Sequence, residues 1–218
     1  MKLRSPTKLG TALYRTLSDA RLASRAANNG DAPLRAELFN LDQLERHARR
    51  LAETHPNVVR GGRERLLTRL RENEQVLADT YRLVTNAAER NLPVAPGAEW
   101  LLDNFYIIEE QIQTARRHLP RSYSRQLPRL SDGPLKGYPR VYHIAMELIS
   151  HVDGWIDMAS LRGFVASYQT ARTLKLGELW AIPIMLRLAL IENLRRVALR
   201  IADGRRDRDS AEQWAQRM

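Results

Sequence analysis

The chain has 218 residues, 44% hydrophobic and 28% charged, with 35 Lys plus Arg against 25 Asp plus Glu and a formal charge of +10. That is enough apolar content for one large or two small packed domains, and the Arg-rich surplus favours anionic partners without fixing a site. Cysteine is absent, which excludes disulfides, thiolate metal ligands and a secreted disulfide scaffold, and fits a reducing compartment.

Residues 1–17 scatter Lys2, Arg4, Lys8 and Arg15 among apolar positions, with no continuous apolar core and no small-residue cleavage site, so they do not read as a signal peptide. Residues 1–30 read as a frayed helix ending at Asn28-Asn29-Gly30. The first firm helix is predicted over 34–53, where Leu34, Leu38, Leu41, Leu44, Ala48 and Leu51 recur at helical spacing before Thr54-His55-Pro56-Asn57 stops it. A second is predicted over 63–90, with Leu66, Leu70, Tyr81 and Val84 on one side, broken by Asn91-Leu92-Pro93 and Pro96-Gly97. Residues 98–119 carry the cleanest pattern: Leu101, Phe105, Ile108, Ile112, Ala115 and Leu119 alternate steps of four and three, as a packing seam requires.

From 120 to 139 the prolines and glycines prevent any long helix or central strand, while Tyr123 and Tyr138 are placed to pack the segment down. Two short antiparallel helices are predicted over 140–151 and 157–172, separated by Asp153-Gly154. The last strong element, 176–201, has Leu179, Leu186, Leu190, Leu194, Val197 and Ile201 on one stripe with Pro183 inside it. An interior proline costs about 3 kcal/mol, and apolar residues on both sides of it predict a bend. The most apolar run, 179–191, is interrupted by Arg187 and too short to cross a bilayer. No segment shows a convincing period of two. The expected fold is all-α, an irregular multi-helix bundle of antiparallel helices with one long Pro/Gly-rich ordered loop. Its expected organisation is a poorly anchored arm over 1–33, a helical domain over 34–202 and a basic helical tail over 203–218 truncated from a larger protein.

Chemistry-bearing patterns are few. His143, Glu147 and His151 fall at i, i+4 and i+8 on one helical stripe, but the two histidines are then separated by roughly 12 Å along the axis, too far to share an ion. A polar stripe is the simpler expectation, and a metal site would have to be completed by other helices. Glu99, Asp103 and Glu110 could pair as acid and base, yet carboxylates near a helix start are also explained by the macrodipole. Asn104, beside the Leu101–Phe105 seam, reads as a register-setting amide. Asp207-Arg208-Asp209 matches the Asp-x-Asp pattern of many glycosyltransferases, but in an Arg-rich tail and not at a strand end. Gly61-Gly62 lacks the flanking strand and Lys-Ser/Thr of a phosphate loop and reads as a hinge. The pairs Arg49-Arg50, Arg116-Arg117, Arg195-Arg196 and Arg205-Arg206 lie on different segments without interleaved aromatics, which favours a solvated surface over a nucleic-acid groove. These patterns assign no catalytic, cofactor-binding or metal-binding residue.

Three stretches, Ala98-Glu-Trp-Leu-Leu-Asp-Asn-Phe105, residues 119–157 with Arg-Gln-Leu-Pro-Arg-Leu and Gly-Tyr-Pro-Arg, and Gly177-Glu-Leu-Trp-Ala181 through Ile191-Glu-Asn-Leu-Arg-Arg196, resemble the N-terminal region of cyclic β-1,2-glucan synthases. Residues 34–52 are similar as well, so the likeness covers most of 34–201. It implies a very large inner-membrane glycosyltransferase that builds and cyclises β-1,2-glucan from UDP-glucose and trims it with a phosphorylase-like module. The family's catalytic residues lie outside the matched region and have no counterparts here. By this resemblance the chain is a soluble, cofactor-free helical module at the cytoplasmic face. Its expected partners are the remaining modules of the synthase or an anionic membrane surface, through candidate contacts Tyr123, Arg125, Tyr138 and Arg140. Equally, the segment holding those residues could only cap its own core. The competing classes are a free-standing basic helical protein that binds nucleic acid or a partner protein, and an independent small enzyme, for which the chain offers no convergent polar pocket.

Overall fold

The computed structural model describes residues 37–152, 156–215 and 217. The readings made for 1–36 and for Asp153-Gly154 fall outside these. Among the described residues the chain forms α1 (Leu41–Glu53), β1 (Val58–Val59), α2 (Leu66–Glu89), α3 (Pro96–His118), α4 (Arg121–Gln126), β2 (Arg129–Leu130), α5 (Arg140–His151), α6 (Met158–Ala171) and α7 (Leu176–Ala215). The all-α expectation is borne out, and the sheet is a pair of two-residue antiparallel strands with Val58 opposite Leu130.

The described residues fall into two compact units, one of 37–74 and 106–194, the other of 75–105 and 195–217. In the larger unit, α1 begins at a capping box: the Asn40 side-chain oxygen accepts from the Gln43 N–H, and the Gln43 side chain accepts from the Asn40 N–H, both at 2.9 Å. Its apolar stripe, Leu44, Ala48, Leu51 and Ala52, packs with Ile144 and Leu148 of α5, Phe164 and Tyr168 of α6, and Leu174. Burying each large side chain contributes about 1.5–3 kcal/mol, and helix periodicity had marked Leu44, Ala48 and Leu51 among these positions. Gly163 lets α6 lie close to α1: a β-carbon there would stand 3.0 Å from the Leu41 Cδ1 and Glu45 Oε1 atoms.

The Pro/Gly-rich stretch carries no long helix, as expected, but it does hold the short α4 and β2. Arg129 organises it from within. That side chain is 1% exposed and donates to the carbonyls of Gly137 at 2.8 Å and Ser124 at 2.9 Å. Gly133 and Gly137, with φ of 74° and 81°, supply the turns.

In the smaller unit, Val76, Leu199 and Ala202 form a core joined by Leu83, and Tyr81 stacks on Phe105 with ring centroids 4.1 Å apart. Helix α7 runs unbroken through Pro183 and Gly204 to Ala215. Ion pairs Asp203–Arg206 and Arg205–Asp209, three and four residues apart, support the helix past Gly204. No helix of the described residues is long and apolar enough to cross a membrane.

Candidate functional site

The four residues nominated as a docking surface fall in the larger unit with different exposures. Tyr123, half-buried, donates its hydroxyl to the Gly177 carbonyl at 2.6 Å. Arg125 is exposed on α4. Tyr138 is half-buried beneath the Arg65 guanidinium, 5.8 Å from its ring centroid. Arg140 is buried. Its Nε and Nη2 atoms donate to the two carboxylate oxygens of Glu178 at 2.7 and 2.8 Å, and Nη2 also donates to the Thr173 carbonyl at 2.8 Å. That bidentate geometry fixes the Arg140 side chain in the interior.

Arg140 begins a polar chain across the unit. Its charge acts on the nearby Tyr168 hydroxyl, and the Tyr168 hydroxyl lies 2.8 Å from His55 Nδ1. His55 Nε2 lies 2.8 Å from His143 Nδ1, and His143 Nε2 lies 3.2 Å from Glu147 Oε1. On the other side of the same carboxylate, His47 Nε2 stands 2.9 Å and His151 Nε2 3.9 Å from Glu147 Oε2. His151 Nδ1 donates to the Glu37 carbonyl at 2.7 Å. Four of the chain's five histidines thus converge. One donor atom from each of His47, Glu147 and His151 lies within 4.8 Å of the others. Phe39 stacks on the His151 ring, centroids 3.9 Å apart, and forms an apolar wall.

Electrostatics follow from this arrangement. Burial pushes His55 down to about 4, aided by the His143 and Arg140 charges and opposed by Glu147. Burial pushes the Tyr168 hydroxyl up to about 12. For Glu147 burial alone would raise the pKa, but hydrogen bonds from His143 and His47, reinforced by their charge when protonated, hold it well below the usual carboxylate range. Glu147 is therefore an acceptor at neutral pH.

Sequence spacing found the His143–Glu147–His151 stripe and missed His47 and His55. A signal for His47 was present: it lies three residues after Leu44 and four before Leu51, on the stripe that packs against α5. His55 sat in a segment read only as a helix stop, where periodicity says nothing about direction. Glu99, Asp103 and Glu110 are exposed, and Asn104 donates to the Trp100 carbonyl of its own helix at 2.9 Å. Asp207 and Asp209 lie within α7, with Asp209 paired to Arg205, a setting unlike the strand end that a nucleotide-sugar motif needs. Gly61 and Gly62 take φ of 75° and 108° ahead of α2. In the smaller unit a cleft of about 260 Å³ is lined by Val84, Ala87, Val94 and Ile201, with Arg200 and Arg208 among its polar residues.

No family model matches this chain. Over 187 residues, 85% of its length, it is 37% identical to Cyclic beta-(1,2)-glucan synthase NdvB of Rhizobium meliloti (strain 1021). The chain spans only 6% of that relative's length. The likeness to cyclic β-1,2-glucan synthases drawn from the residue patterns is thereby borne out.

Proposed function

We propose that this chain is a non-catalytic helical module of a cyclic β-1,2-glucan synthase-like membrane glycosyltransferase, working at the cytoplasmic face to support modules that make β-1,2-glucan from UDP-glucose. The observation that carries this reading is 37% identity sustained over 85% of the chain. Two features of the molecule support a scaffolding role. Its elements are helices packed on apolar stripes, with the Arg140–Glu178 pair and the histidine chain immobilised inside. Meanwhile Trp100, Trp180 and Trp214 are 51%, 76% and 69% exposed, and large exposed aromatics are what a surface awaiting other polypeptide presents. Of the docking candidates, Tyr123, Arg125 and Tyr138 remain at the surface, and Arg140 holds the segment from beneath.

The test is a segment exchange in a bacterium whose synthase contains the similar region. Deleting that region is expected to abolish β-1,2-glucan, and inserting this chain in its place to restore it. The combined change Tyr123→Ser, Arg125→Glu and Tyr138→Ser is expected to lower glucan yield while the helical circular dichroism of the isolated chain stays unchanged. The isolated chain incubated with UDP-glucose should make no glucan; synthesis by it alone would overturn the assignment.

A further inference from the structure

We infer that His47, Glu147 and His151 form a site for one divalent transition-metal ion of the zinc class, joining α1 to α5 and leaving a coordination position open to solvent. This goes beyond the scaffold role and does not depend on it.

The donor set comes from two helices. Residues 147 and 151 are one turn apart on α5, and His47 arrives from α1 to complete the trio that the α5 stripe cannot make alone. Tetrahedral bonds of about 2.0–2.1 Å would place ligand atoms ~3.3 Å apart. The separations of 2.9 Å from His47 Nε2 and 3.9 Å from His151 Nε2 to Glu147 Oε2 bracket that value. Small side-chain adjustments suffice to admit an ion.

The hydrogen bonds around the trio set its lone pairs. The Glu37 oxygen is a carbonyl and can only accept, so His151 Nδ1 carries the proton and neutral His151 turns an unprotonated Nε2 towards Glu147. Two acceptors, that nitrogen and Oε2, then face each other, an arrangement a cation relieves. His143 holds the other carboxylate oxygen, Oε1, and is itself held by His55 and Tyr168. Outer partners of this kind fix ligand orientation in metal sites. Two imidazoles and one carboxylate suit zinc, cobalt or nickel better than magnesium or calcium, which prefer all-oxygen shells. Side-chain exposures of 23% for His47 and 29% for Glu147 leave a route in, against 9% for His151. Binding must displace the proton on His47 Nε2 that the 2.9 Å contact to Glu147 uses in the metal-free state, which a neutral ring does by passing to its Nδ1–H tautomer.

The full 218-residue chain, stripped with chelator, is titrated with Zn²⁺ against a chromophoric chelator and separately with Co²⁺. One equivalent of each is expected to bind, with cobalt visible absorption of a low-symmetry site and no thiolate band. His47→Ala, Glu147→Gln and His151→Ala should each weaken Zn²⁺ by about tenfold or more. His118→Ala, at the exposed fifth histidine on α3, should change nothing. If the ligand variants lose their helical circular dichroism, X-ray absorption of the zinc-loaded wild-type chain decides, and a shell containing two imidazoles is expected. The proposal is overturned if the wild-type chain takes up no stoichiometric zinc, if uptake survives loss of the ligands in a folded variant, or if the shell lacks the paired imidazoles.

Discussion

Replacing Arg140 with Met is the sharpest test of how the larger unit is held together. The guanidinium makes three donor contacts of 2.7–2.8 Å, two to Glu178 and one to the Thr173 carbonyl. Both side chains are out of solvent, at 6% exposure for Arg140 and 0% for Glu178. Removing the cation strands a carboxylate whose remaining donor is the Lys175 N–H at 3.0 Å. Breaking such a buried pair costs about 3–5 kcal/mol, a large share of the ~5–15 kcal/mol that stabilises an ordinary domain. The double change Arg140→Met with Glu178→Leu removes both charges, and the backbone groups it frees belong to the exposed residues Thr173 and Lys175, within reach of water. It should therefore return to within about 1 kcal/mol of wild type, because an apolar replacement of a buried pair is often neutral. Urea unfolding of the wild type, both single variants and the double variant gives the coupling energy, expected at about 2 kcal/mol or more. A loss below about 1 kcal/mol for Arg140→Met would refute the view that this pair is a buried brace, and would return Arg140 to the surface role suggested by its sequence context.

Stability should rise with pH between about 4 and 6.5, because buried His55, lowered from 6.5 to about 4, takes up its proton in the unfolded chain first. At about 1.4 kcal/mol per pH unit this amounts to about 3 kcal/mol across the window, measurable by denaturant titrations at stepped pH and flattened in His55→Asn. Asn40→Ala removes the side-chain half of the α1 capping box and should cost about 1 kcal/mol by thermal or urea unfolding. Gly137→Ala forces a β-carbon into a φ of +81° and to 3.1 Å from the Arg65 guanidinium, so it should destabilise by about 1–2 kcal/mol. An unchanged urea midpoint for either of these last two variants would contradict the local geometry described.

The helices were legible wherever an apolar residue recurs every three or four positions. The α1 stripe of Leu44, Ala48 and Leu51, and the α3 seam of Leu101, Ile108, Ile112 and Ala115, are buried as the spacing requires. Boundaries were less legible, because they depend on local hydrogen bonds. The expected helix over 34–53 begins only at Leu41, where Asn40 and Gln43 cap it. The element expected over 176–201 and the helical tail expected after it form one helix to Ala215, with side-chain ion pairs supporting α7 around Gly204. For the polar site, spacing along one helix could place Glu147 and His151 one turn apart but could not bring in His47, whose approach depends on how α1 packs on α5. Arg140 was read from its Gly-Tyr-Pro-Arg context as a surface contact. Nothing in that local sequence shows that Glu178, 38 residues on, comes back to meet it.

The direction of the last bond in the buried chain follows from its acceptor. Arg140 can only donate, and ionised Glu147 can only accept. His143 therefore donates from Nε2 to Glu147, and the two ring nitrogens of His55 face the Tyr168 hydroxyl on one side and His143 Nδ1 on the other. Burial, with the His143 and Arg140 charges, opposes protonation of His55. His143 occupies Glu147 Oε1, and Oε2 is the oxygen that faces His47 and His151. An apolar core of the same size would hold α1 against α5 with fewer desolvated groups, but it would leave no such oriented acceptor between them.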